Sequence, residues 1–381
     1  MAGPRLPGWA RAALIPVHQM HARKLHELRS LFLELTHDCN LDCIHCGSDC
    51  TRESRAGHLD ARAILKTLVE IKNRYDPHAV CVAMSGGEPL CYPGLFELGT
   101  AITRLEFPWG MVTNGFAWTR ETVRRAKNAG LQSITVSLDG MEANHDWMRG
   151  RKGSFARAAA TISWLTADRF YQAMDVVTCV NRRNLGELPE VRAFLRSIGV
   201  RDWRLFTISP IGRAGGNPEL FLDADEYRRL LEMIIEWRRQ TDMNVNLSES
   251  GYLGASFECR VRDAQYFCRA GISVAGIMVN GDILACPNID RRFAQGNIAA
   301  DSFVEVWERK FAPFRDRTWM KAGPCEKCPE WRLCQGNSFH LWDLDAGRPR
   351  VCHFRDFGLG PQPADRRRPK DGLDSRRNLT R

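Results

Sequence analysis

The stretch Leu31-Phe32-Leu33-Glu34-Leu35-Thr36-His37-Asp38-Cys39-Asn40-Leu41-Asp42-Cys43-Ile44-His45-Cys46-Gly47-Ser48-Asp49-Cys50 decides the fold. Its first five residues read as a short apolar strand, which runs into a loop carrying Cys39, Cys43 and Cys46. The spacing C-x3-C-x2-C puts three thiolates on one tight loop, which suits one face of an iron–sulfur cube. Such cubes normally take four cysteines, so a loop of three leaves one iron open to another ligand. Zinc competes for clustered thiols, but closed zinc sites take four ligands, usually from paired CxxC knuckles.

The remaining composition narrows the class. A chain of 381 residues suggests one large or two moderate domains, and 44% apolar with 26% charged residues is ordinary for a protein with a real core. The apolar run from Ala12 to Val17 is too short for a secretory signal, and no segment approaches the length needed to cross a bilayer. A cytoplasmic location is therefore expected, with reduced thiols, so 14 cysteines at regular spacings point to metal rather than disulfides. Formal charge is +9. From Asp365 to Arg381 seven Arg or Lys stand against three Asp, and this apolar-poor basic tail, 359–381, is expected to be disordered. Its basic residues lack interleaved aromatics, which argues against nucleic-acid binding.

Residues 1–30 form a basic extension with a short helix expected near His18 to Leu28. After the cysteine loop, Leu59 opens a helical pattern with Ile64, Leu65, Leu68, Val69 and Ile71 on one face. Strands are then expected at Ala79 to Met84, Gly110 to Val112, Ser133 to Leu138, Ala173 to Val180 and Trp203 to Ile208. Helices are expected at Leu95 to Leu105, Arg120 to Ala129, Phe155 to Leu165 and Leu185 to Ile198. Alternating strands and helices imply right-handed crossovers and a parallel sheet. Six such units are too few for a closed eight-fold barrel but enough for a partial (β/α)6 barrel over 31–212. In parallel barrels the chemistry sits at the C-terminal strand ends. The cysteine loop, Gly86-Gly87-Glu88-Pro89, Thr113-Asn114-Gly115, Ser137-Leu138-Asp139-Gly140 and Asn181 all fall there.

These residues resemble the radical S-adenosylmethionine (radical SAM) superfamily over roughly residues 30 to 212. The resemblance implies a 4Fe–4S cluster on Cys39, Cys43 and Cys46 and S-adenosylmethionine on the open iron. Gly86, Gly87 and Glu88 match the motif that takes the methionine amino group. Ser137 and Asp139 match a strand end near the ribose, Asn114 serves the same pocket, and Arg149 fits a recurring pattern. Where the family often has an aromatic residue before its third cysteine, this chain has His45, read as stacking or hydrogen-bonding. Cys50 and Cys91 are read as small buried apolar groups.

A loop and a helix over Leu220 to Arg239 make 213–258 a linker region. In 259–358 the pattern Cys268-x12-Gly281-x4-Cys286, Cys325-x2-Cys328-x5-Cys334 and Cys352 follows. Taken alone, CxxC favours zinc. The order resembles the SPASM extension behind radical SAM barrels, which usually holds two auxiliary 4Fe–4S clusters. By position, Cys325, Cys328, Cys334 and Cys352 would complete the outer cluster. Cys268, Cys286 and Cys259 would serve the inner one, with Ser338 where the fourth cysteine is usual. A hydroxyl is a poor substitute for a thiolate. The outcomes are an inner cluster with an open iron, which is preferred, ligation by another residue such as His340, or no inner cluster, so one or two auxiliary clusters are expected.

The resemblance implies reductive cleavage of S-adenosylmethionine and hydrogen abstraction from a substrate, with a flavodoxin or ferredoxin as electron donor. A peptide or protein substrate is the first expectation, in a maturase-type modification. A tetrapyrrole or other small molecule is the alternative. A non-enzymatic zinc or iron–sulfur module is the competing class; it leaves the strand-end motifs unexplained. Pro287, where sulfatase-maturing members usually have an acid, argues against that subgroup.

Overall fold

The computed structural model describes residues 8–52, 57–169, 171–248 and 251–360. The tail beyond residue 360, with the disorder expected of it, lies outside the described residues. A helix α1 (Gly8–Leu25) precedes the first strand and is longer than the short helix expected there. The strands then run β1 (Ser30–Thr36), β2 (Cys81–Gly86), β3 (Trp109–Thr113), β4 (Ser133–Ser137), β5 (Ala173–Val180), β6 (Asp202–Thr207), β7 (Asn244–Leu247), β8 (Val274–Ile277), β9 (Asp282–Leu284) and β10 (Gly296–Asn297). They form one sheet in the order β10-β9-β8-β1-β2-β3-β4-β5-β6-β7. From β8 through β7 every pairing is parallel, and β9 and β10 add an antiparallel edge. The six expected strands are thus consecutive in one parallel α/β sheet.

The connecting helices are α2 (Ala61–Arg74), α3 (Leu95–Arg104), α4 (Arg120–Asn128), α5 (Glu142–Arg149), α6 (Ser154–Asp168), α7 (Leu188–Ser197) and α8 (Ala224–Trp237). In α2 the Asp60 side chain caps the N-terminus by accepting from Arg62 N, and Ile64, Leu68 and Ile71 are buried at i, i+4 and i+7. Val69, expected on the same face, is 44% exposed instead. Leu31, Leu33 and Leu35 of β1 are fully buried, each contributing about 1.5–3 kcal/mol.

The hairpin expected around Val279 to Asp282 is formed by β8 and β9, but strand β7 and the pairing of β8 with β1 were not expected. The stretch 213–258, read as a linker, contributes β7 to one side of the sheet, and the cysteine-rich region contributes β8, which pairs directly with β1. Glu34 explains part of this docking. It is buried in a central strand, and its carboxylate accepts from Arg291 Nη2 at 2.7 Å and from Val279 N at 3.2 Å, with His37 Nε2 also 3.2 Å away. Burial alone would raise its pKa, but the His37 and Arg291 contacts outweigh it and hold the group below the usual carboxylate range. A charged partner from the C-terminal region therefore satisfies an acid that the apolar strand could not hold alone. No described helix is long and apolar enough to cross a membrane.

Candidate active site and cluster-binding loops

The loop after β1 has little regular structure, so its backbone groups need outside partners. The C-terminal end of α5 supplies two: Asp42 N donates to Arg149 O at 3.2 Å and Ile44 N to Met148 O at 3.0 Å. Arg213 supplies more, donating from Nε to Cys43 O at 2.8 Å and from Nη2 to Cys50 O at 3.0 Å while pairing with Asp49 at 2.8 Å. Arg151 Nη1 donates to Asn40 O at 2.6 Å. Gly212, at φ +55°, lets the arginine segment come this close; a Cβ there would lie 2.4 Å from Cys46 O.

Held this way, Cys39, Cys43 and Cys46 line one cavity of about 300 Å³. Each sulfur already accepts an N–H: Cys39 from Asn114 Nδ2 at 3.8 Å, Cys43 from Arg149 Nη1 at 3.6 Å, and Cys46 from Cys50 N at 3.4 Å. Burial pushes the Cys39 thiol up to about 12 and Cys43 up as well, whereas a hydrogen bond from the Cys50 thiol brings Cys46 down to about 6. A bound iron centre reverses the effect of burial, because its own charge favours thiolate. An N–H donor on each sulfur suits thiolates that ligate a cluster.

The strand-end residues divide between the cavity wall and the layer behind it. Gly86, Gly87, Asn114, Ser137 and Arg149 line the cavity with His45. Gly87 is required by packing: a Cβ there would meet Asp38 O at 2.1 Å, because β2 ends against the start of the cysteine loop. Asp139 stands behind Arg149, 2.6 Å from its Nη2, with both groups buried, and its Oδ1 accepts from Cys179 N at 2.8 Å. Glu88 also stands behind the wall. It accepts from Thr113 Oγ1 at 2.7 Å and from Asn114 N at 2.8 Å, tying the end of β2 to the end of β3.

Burial pushes the Glu88 carboxyl up to about 7, against the hydrogen bonds that favour its charged form. Between its ordinary pKa and about 7 the folded chain then holds a proton that the unfolded chain has released, so stability falls as pH rises through that window. The effect is at most about 3 kcal/mol. Denaturant titrations at pH 5, 6 and 7 should show this slope in the wild type and a flatter one in Glu88→Gln; parallel slopes would exclude Glu88 as the source.

In the C-terminal region Cys325, Cys328, Cys334 and Cys352 line a single cavity of about 460 Å³. Burial pushes Cys325 up to about 11 and raises Cys334 further, and the neighbouring thiols add to both. Four thiols around one space match the set expected for an outer cluster. The inner set does not gather in this way. Cys259 is exposed, Cys268 and Cys286 are half-buried against the apolar core, and the three line none of the main cavities.

Several site residues escaped sequence reasoning. Cys179, Phe206 and Thr207 join the cavity from the ends of β5 and β6, and Asn288 reaches it from the C-terminal region, as does His340, which the sequence offered only as an inner-cluster ligand. Position at a strand end could have found the first three; Arg213 had no local signal.

Comparison with known proteins agrees with this geometry. Residues 33–195 match the model of the radical SAM superfamily, and 268–329 match the SPASM iron–sulfur cluster-binding domain. The AdoMet-dependent heme synthase of Methanosarcina barkeri is 28% identical, covering 81% of this chain and 90% of that one. The mycofactocin maturase MftC of Mycolicibacterium smegmatis is 30% identical, covering 80% and 76%. The PqqA peptide cyclase of Methylocella silvestris is 26% identical, covering 85% and 87%. Among solved structures, anSMEcpe with bound AdoMet superposes with a TM-score of 0.68 at 16% identity, covering 87% of this chain and 95% of that one. The motifs, the parallel sheet and these relatives agree: the chain is an enzyme of the radical SAM superfamily, with a C-terminal SPASM domain, and its cofactors are 4Fe–4S clusters and S-adenosylmethionine.

Proposed function

We propose that this enzyme takes hydrogen from a peptide or protein and acts as a maturase. The observation that carries the reading is a second cavity of about 290 Å³ that shares Gly47, Ile211, Asn288 and His340 with the cysteine-lined one. Asp49, Asp290, Arg291 and Arg350 also line it, a mixed-charge wall suited to polar main chain and varied side chains. Relatedness supports the same reading, since a maturase and a peptide cyclase are among the relatives.

Cys39, Cys43 and Cys46 would hold the cluster, which when bound supplies the electron for reductive cleavage of S-adenosylmethionine. Gly86 and Gly87 present backbone to the methionine end, while Asn114, Ser137 and Arg149 orient the rest of the molecule from the wall. Glu88 acts through Thr113 and Asn114, and Asp139 acts through Arg149. His45 closes one side as a neutral ring, because burial brings its pKa down to about 4. Burial does the same to His340, which leaves it a neutral hydrogen-bonding group in the shared wall. The net charge of +9 suits an acidic electron carrier such as flavodoxin or ferredoxin, and the reading places the enzyme in the cytoplasm.

A tetrapyrrole is the second reading, favoured by the heme synthase relative. Anaerobic protein given S-adenosylmethionine, reductant and a deuterated peptide pool should yield deuterated 5′-deoxyadenosine. Deuterium arriving only from a labelled tetrapyrrole would replace the peptide reading with the second. His340→Ala should lower substrate modification roughly tenfold while 5′-deoxyadenosine still forms. Equal loss of both products would move His340 out of the substrate wall.

A further inference from the structure

Auxiliary cubes of the SPASM type need four ligands each, and this chain supplies the two sites very unequally. The outer site has four cysteines around one cavity. At the inner site the short helix Glu258–Val261 turns Glu258 inward, where it is fully buried and accepts from Leu253 N at 2.9 Å and Tyr266 N at 2.6 Å. Its neighbour Cys259 consequently faces outward and is exposed. That removes the third thiol.

The fourth position is Ser338. It is 0% exposed, and its hydroxyl is already engaged by the Tyr266 hydroxyl. Tyr266 is itself fixed by Glu258 at its backbone and by the Arg262 guanidinium over its ring at 5.3 Å. Arg317 ties the Cys268 and Ser338 segments together. Buried, it donates from Nη2 to Cys268 O at 2.7 Å and from Nη1 to Asn337 O at 3.4 Å, and it lies over the Phe339 ring at 4.7 Å. The segments that would carry two ligands are thus bridged by a side chain. Two half-buried thiols, Cys268 and Cys286, are left, which is half of what a cube requires.

We infer that the inner auxiliary site of this SPASM domain is not a cluster site: the Tyr266–Ser338 pair and Arg317 fill it, and Cys325, Cys328, Cys334 and Cys352 hold the one auxiliary cluster of the chain. This reverses the preference for an inner cluster with an open iron. Substrate is then held by side chains of the shared wall, and no second open iron is available to bind it.

The test uses the full chain, purified and reconstituted anaerobically, with iron and sulfide counted and Mössbauer spectra recorded. About eight irons per chain are expected in the wild type, as two cubes of four. Replacing Cys39, Cys43 and Cys46 by alanine should leave about four, in one cluster environment. Cys268→Ala with Cys286→Ala should leave the wild-type count unchanged. About twelve irons in the wild type, or two cluster environments in the first variant, would overturn the inference. If the double variant does not fold, the first variant still decides. None of these readouts depends on turnover, so failure here is distinct from failure of the peptide reading.

Discussion

Cys43→Ala should form 5′-deoxyadenosine at least about a hundredfold more slowly than wild type, while keeping its fold. The two halves of this expectation have separate causes. Cys43 is one of three thiols on the loop, and a cube cannot be held by Cys39 and Cys46 alone. The loop itself does not depend on the thiol, because Arg213 holds the Cys43 carbonyl and α5 holds the amides of Asp42 and Ile44. Arg149 loses a sulfur acceptor at 3.6 Å but keeps Asp139 at 2.6 Å, so no buried charge is stranded. The stability cost is that of a small buried side chain, about 1–2 kcal/mol. Product formation by high-performance chromatography, iron content and thermal unfolding together check it. Undiminished 5′-deoxyadenosine would remove Cys43 from the cluster, and an unfolded variant would show the thiol to be structural.

The parallel sheet was legible because strands and helices alternate with clean hydrophobic periods between Leu31 and Ile198, and the punctuation marks fall at strand ends. What escaped has physical reasons. Helix α5 is only eight residues long, and of the four side chains it buries only Met148 is apolar; Asn144, His145 and Arg149 face a polar site rather than the core. Periodicity cannot find such a helix, although Arg149 itself was recognisable by resemblance. Strands β7 and β8 are four residues each, and their pairing with β6 and β1 is fixed by contacts remote in sequence. Glu34 was the one overlooked clue. An acid inside an apolar strand requires a partner, and the partner, Arg291, lies in the region that β8 brings alongside. At the inner cysteines Glu258 is turned inward and Cys259 outward, a direction that spacing along the chain does not encode.

Asp139→Asn should destabilise the protein by about 3–5 kcal/mol, the cost of leaving a buried cation without its counter-charge. Both partners of the Asp139–Arg149 pair are almost wholly buried. Burial alone would raise the Asp139 pKa, but Arg149 holds it below the usual carboxylate range and is itself held strongly protonated. The aspartate therefore matters chiefly as the charge that lets Arg149 sit against the cysteine loop. If so, removing both charges should recover most of the loss, and Asp139→Asn combined with Arg149→Met should unfold within about 1–2 kcal/mol of wild type. Function should not recover with stability. Arg149 Nη1 donates to the Cys43 sulfur, and hydrogen bonds to cluster sulfurs raise the reduction potential. The double variant should accordingly show a more negative cluster potential and weaker S-adenosylmethionine binding despite its restored fold. Urea titration measures the first part and potentiometry under anaerobic conditions the second. A double variant with wild-type potential and affinity would reduce the pair to a structural contact. One that stays as unstable as Asp139→Asn would mean that Asp139 acts mainly through its bond to the Cys179 amide, which ties the ends of β4 and β5 together.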